Sequence, residues 1–328
     1  MDNSGQLTFS DDPMLNGANE VYQLIEEGQF VSAVDRLDDL MDIDPDYPGL
    51  IEAYRTAKFW ENRAEELKRM QNGRETADFL MKEWSAFEEY AETKSIKDSA
   101  AYRAVMKQIF FRAADHYKIA FTEQQDTINN FNLLLNLGDC FLRLEEYKNT
   151  IETLEFARSS YTSNARLLAI LGEAYFHTGD IPKSLLYFRE AFLIEPSDID
   201  LDQIRAKPIL DLVRLIRDES NDYSNLKEWI PIYGFLNDTF YVRRNLSKRQ
   251  VESIENDIYD LEVSYQKMGK EQLETTNILP RLINKYLWMM DYYEFQNYNF
   301  ENITQIRDRL ITIKRDLFEE YFNNQKSR

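Results

Sequence analysis

Two histidines, His116 and His177, and one cysteine, Cys140, are the only imidazoles and thiol in this chain. Two imidazoles cannot build a His-rich zinc site. A di-iron bundle needs Glu-x-x-His from two helices, whereas Glu173 precedes His177 by four residues. One thiol makes no internal disulfide and no CxxC pair, so Cys140 is expected to pack. Asp42, Asp44 and Asp46 begin like a calcium loop. That loop demands glycine at its sixth position and glutamate at its twelfth, where this chain has Tyr47 and Ala53. Neither familiar glycine-rich phosphate loop is present. No catalytic residue, no cofactor and no metal ligand is therefore assigned, and the chain is expected not to be an enzyme; its many carboxylates read as a solvated face.

The elements that would carry any other chemistry are helices. Only 10 glycines and 8 prolines occur in 328 residues, well below the roughly 12% of ordinary usage, too few turn-formers for a β-sandwich. Apolar residues make up 43% of the chain, with 20 Tyr, 20 Phe and 4 Trp, enough for a large core. The fold class read from this is all-α. Charge is −19 overall and uneven, with thirteen acids against three bases in residues 1–60 and five against six in the last 28. Such a field repels phosphate backbones and anionic membranes and speeds encounters with basic surfaces, so no nucleic acid and no direct membrane insertion are expected. The start, MDNSGQLTFSDD, has neither a basic nor an apolar leader segment, and no stretch reaches 18 apolar residues. A cytoplasmic location is expected.

Sliding the chain by 34 residues lays 131–164 over 165–198 and aligns Leu134 with Leu168, Leu137 with Leu171, Gly138 with Gly172 and Phe141 with Tyr175. Thr150 then meets Ser184, Leu154 meets Phe188, and Ala157 meets Ala191. In this pattern the chain resembles the tetratricopeptide repeat (TPR) family, with departures at Thr150 and Thr162. The resemblance implies an α-solenoid of helical hairpins, in which Gly138 and Gly172 let paired helices approach and Leu154 and Phe188 fill the space between them. Gly28, Ala33, Leu37, Leu40 and Pro45 mark a degenerate copy at 18–47, whose first helix lacks the small crossing residue.

Further signals divide the chain. Residues 1–17 read as an acidic flexible tail. Residues 18–125 form an N-terminal helical region broken near Asn72-Gly73 and Thr93–Asp98. Residues 126–218 hold the repeat pair and a trailing helix, and Glu219–Ser224 is the expected boundary. Residues 225–323 read as a C-terminal helical bundle or coiled coil. There Ser247 and Gln250 form a capping box ahead of Val251, Ile254, Ile258, Leu261, Tyr265 and Met268. A last helix carries Ile303, Ile306, Leu310, Ile313, Leu317 and Tyr321. Such seams pack helices side by side within one chain or between two, so a homo-oligomer through these helices stays open.

The family's geometry implies a concave groove lined by the first helix of each repeat. Carried over, its residues are Asn132, Leu135, Asn136, Asp139, Leu142 and Arg143, then Arg166, Ala169, Ile170, Glu173, Phe176 and His177. Apolar Leu135, Leu142, Ile170 and Phe176 flanked by Asp139 and Glu173 would suit a basic or amphipathic peptide. Family members that clamp a chaperone's C-terminal carboxylate carry lysine and asparagine where this chain has Leu135 and Asp139, so that role is not expected. The expected function is a scaffold or adaptor within a larger assembly, such as a bacterial flagellar or secretion apparatus. The alternatives are a peptide-sensing regulator and a coiled-coil oligomer whose groove is filled by its own helices.

Overall fold

In the computed structural model, residues 12–70, 73–123, 130–160, 164–219 and 226–325 are described, and among them every regular element is helical, with no strand. The chain divides into two compact units, Met1–Ala157 and Arg158–Arg328. The division falls inside the first of the two aligned 34-residue stretches rather than at 219–224. The first stretch belongs mainly with the N-terminal helices and the second with the C-terminal ones. Of the sequence expectations, residues 1–11 of the tail, Asn72, Thr162 and 220–224 lie outside the described residues.

Unit one contains α1 (Pro13–Glu26), α2 (Phe30–Ile43), α3 (Leu50–Arg69), α4 (Gly73–Thr93), α5 (Ala100–Glu123), α6 (Phe131–Arg143) and most of α7 (Tyr147–Ser160). The expected tail ends early because Asp12 caps α1, its carboxylate accepting from Met14 N at 2.9 Å, and Pro13 supplies a helical φ at the first position. Residues 13–17 are thus helical. Gly17 is buried against the Leu40 side chain of α2, so the first hairpin has its small residue after all, one turn earlier than the repeat pattern places it. The core is aromatic. Trp60, Trp84, Phe87, Tyr102 and Phe110 from α3, α4 and α5 pack with ring centroids 5.0–5.8 Å apart, edge-on, tilted or offset.

The same closure ends α1, α4, α6 and α8 (Ala165–His177). In each, one residue takes a left-handed φ, namely Gly28 (74°), Ser95 (55°), Glu145 (61°) and Gly179 (86°). The following N–H then reaches back to a carbonyl five residues earlier, as in Gln29 to Leu24 and Asp180 to Tyr175. Two of the four positions hold glycine, which adopts this conformation at no steric cost, and two do not.

Unit two continues with α9 (Ile181–Ile194), α10 (Lys207–Glu219), α11 (Leu226–Leu236), α12 (Lys248–Lys267), α13 (Lys270–Thr275), α14 (Ile278–Asp291), α15 (Phe300–Ile313) and α16 (Arg315–Gln325). Gly172 faces the Phe188 ring of α9, where an added Cβ would sit 2.9 Å away. The capping box at Ser247 and Gln250 is formed. The apolar seam of α12 is met by the chain itself: Val251, Ile254, Ile258, Leu261 and Tyr265 share one core with Leu282, Tyr286 and Met289 of α14 and with Ile306 and Leu310 of α15. The last helix is not continuous. Lys314 leaves the helical region at φ −144°, ψ 75°, and beyond this elbow Phe318 and Phe322 occupy the core while Leu317 and Tyr321 are only partly buried.

Candidate interaction surfaces

The twelve expected groove positions fall six in each unit, and most face inward. On α6, Leu135, Asp139 and Leu142 are buried, with Asp139 only 4% exposed; Asn132 alone is fully at the surface. Asn136 Nδ2 donates to the Tyr117 hydroxyl of α5 at 3.2 Å, and Arg143 reaches Glu88 of α4 at 3.3 Å while lying over the Phe110 ring. Arg143 Nε also stands 3.7 Å from the Asp139 carboxylate. Of the polar groups meant to meet a partner, Asn136 and Arg143 are thus engaged by α5 and α4, and Asp139 by its own helix. Tyr117 donates in turn to Asp78 at 2.9 Å, and burial first, then Asp78, drives its hydroxyl far above the usual phenol range.

On α8, Ala169, Ile170 and Glu173 are buried, Arg166 and Phe176 half-buried, and His177 exposed. Glu173, 2% exposed, accepts from the backbone N–H groups of Arg205 at 2.6 Å and Ala206 at 3.1 Å, and it meets His177 Nε2 at 3.0 Å. The segment 199–206, anchored by buried Ile199, Ile204 and Ala206, therefore docks onto the acid expected to attract a basic peptide. Burial raises the Glu173 carboxyl above its ordinary value, opposed by those two backbone bonds and by His177. On each helix, within its own unit, most of the positions expected to line a groove are thus buried or engaged by the chain's own segments.

What the fold does open is a cleft of about 570 Å³ in unit two, between α10, α11 and the α15–α16 elbow. Trp229 and Tyr233 of α11 stand one turn apart, edge to face at 6.5 Å, and Leu317 and Tyr321 of α16 face them. Glu219, Lys314 and Asp316 supply charge at the same opening, the latter two paired at 3.8 Å. Burial pushes the Tyr233 hydroxyl up to about 12, with its hydrogen bond to Glu219 adding to the shift, so it stays protonated and can donate. Sequence reading placed Leu317 and Tyr321 in a continuous seam. Pattern alone gave no sign that Lys314 would break the helix and re-aim them.

His116 and His177 lie in different units, and burial first, then Arg112, lowers the His116 pKa. Cys140 is buried with its sulfur 3.9 Å from Met81 Sδ. Among the described residues no group of three or more His, Cys, Asp or Glu side chains is placed to hold a metal ion, and no helix is long and apolar enough to cross a membrane. Compared with protein-family models, with curated proteins and with solved structures, the chain matches none.

Proposed function

We propose that this chain is a non-enzymatic helical scaffold or adaptor, built of hairpins resembling TPRs, and that it captures a polypeptide through the α10–α11–α16 cleft rather than through the hollow side of α6 and α8. The observation that carries this reading is the aromatic-walled opening between Trp229, Tyr233, Leu317 and Tyr321. Rigid Trp and Tyr side chains in a concave setting are the residues that dominate binding energy at protein interfaces. With Asp316 paired to Lys314, Glu219 leaves the opening one negative charge in excess, which favours a partner segment that is amphipathic with a flanking cation, laid helix-into-groove.

The test is capture from the native host by wild type and by a Trp229→Ala/Leu317→Asp variant, with a photo-crosslinking residue at position 237, at the rim of the cleft. A partner retained by wild type, lost by the variant and cross-linked at 237 supports the proposal; equal retention by both proteins overturns it. A volume near 570 Å³ also lies within the range of ligand-sized pockets, which favours the peptide-sensing regulator as the second reading. A free peptide that raises the melting temperature of wild type but not of the variant would select it.

A further inference from the structure

The most cationic stretch of this acidic chain adjoins a loop rich in exposed aromatics. Between Tyr241 and Gln250 stand Arg243, Arg244, Lys248 and Arg249 with no acid among them. Opposite lies the uncharged run Phe295–Phe300, Phe-Gln-Asn-Tyr-Asn-Phe, joining α14 to α15. Gln296 ties the two together, accepting from Leu246 N and donating to Leu246 O, both at 2.7 Å, and the Arg243 guanidinium lies 3.8 Å from the Phe295 ring centre. Phe295, Tyr298 and Phe300 are 60%, 73% and 70% exposed. Arg243 and Arg244 are held by Asp291 and Glu190 and keep about half of their surface in solvent, while Lys248 and Arg249 are exposed on the first turn of α12. Nearby acids are Glu252 and Glu301, both exposed, and Glu294, which is paired with Arg307.

We propose that this patch adsorbs to an anionic lipid surface, separately from the cleft, with Tyr298 and Phe300 entering the headgroup region and the four cations facing the phosphates. Aromatic rings that protrude from a loop have no groove in which to grip a peptide, whereas a bilayer interface yields around them and favours such amphipathic rings. The run 295–300 itself carries no charge into that region. Each Lys or Arg near an anionic leaflet adds attraction that dies off within a Debye length, so the negative charge elsewhere on the chain is screened from it.

Full-length protein is sedimented with phosphatidylcholine vesicles and with phosphatidylcholine–phosphatidylserine vesicles, at low and high salt. Binding to the serine-containing vesicles that weakens with salt is expected. It should fall about fivefold for each cation removed in Lys248→Gln and Arg249→Gln, and Tyr298→Ser/Phe300→Ser should abolish the part that survives high salt. All four side chains are exposed, and circular dichroism of each variant is to match wild type before its binding is read. No binding to anionic vesicles, or binding indifferent to both sets of substitutions, overturns the proposal. Capture of a poly-glutamate peptide in place of vesicles also overturns it and assigns the patch to an acidic polypeptide.

Discussion

At the residue scale, the two carboxylates expected to greet a partner show how differently one side-chain type can be spent. Asp139 sits beside Arg143, and Glu173 holds the 205–206 backbone to α8. Burial raises the folded value of Glu173 above its unfolded one. Between the two values it keeps a proton that the unfolded chain has released, so its contribution to stability is full below the ordinary carboxylate range and falls as pH climbs through the folded value. Glu173→Gln should flatten that limb of the curve, read as denaturant midpoints over a pH series; an unchanged slope would mean that other groups carry it. The left-handed turns offer a second residue-scale test. Glu145 adopts φ 61° where the matching hairpin has Gly179, so Glu145→Gly should be neutral or stabilising by up to about 1 kcal/mol. A loss of more than that in chemical denaturation would show that the side chain compensates for its own strain.

At the scale of elements, the paired helices were legible and their surroundings were not. Gly172 and Phe188 aligned with Gly138 and Leu154 because close approach demands a missing side chain opposite a large one, and the structure packs each glycine against its partner. Gly172→Leu should accordingly cost about 1–3 kcal/mol or more in a denaturant melt, and a neutral outcome would deny the close approach. The burial of Glu173 was not legible for a physical reason: periodicity tells which face of α8 is apolar, not which segment of the chain comes to lie on it. Ile199, Ile204 and Ala206, spaced among acids without helical period, were the only hint that 199–206 needed cover. The break at Lys314 left less of a trace, since Ile313, Leu317 and Tyr321 continue the seam arithmetically. A single backbone excursion there puts Phe318 and Phe322 in the core and frees two walls of the cleft. Asp12→Ala, which removes the α1 cap, should cost about 1 kcal/mol and loosen amide protection over residues 14–16.

At the scale of the whole molecule, 58 acidic residues against 39 basic ones make self-repulsion a standing load on the folded state. Adding sodium chloride should therefore raise the melting temperature; a fall would mean that the many ion pairs outweigh the net field. The four tryptophans are shared evenly between the units, Trp60 and Trp84 in one, Trp229 and Trp288 in the other. Three are sealed from solvent, and the fourth, Trp229, stands at the opening of the cleft. Intrinsic fluorescence is thereby sorted by position: the blue part of the emission follows the two cores, and the part that acrylamide quenches first belongs to one indole. The molecule carries its own optical gauge of whether that opening is empty, and no dye need be attached to read it.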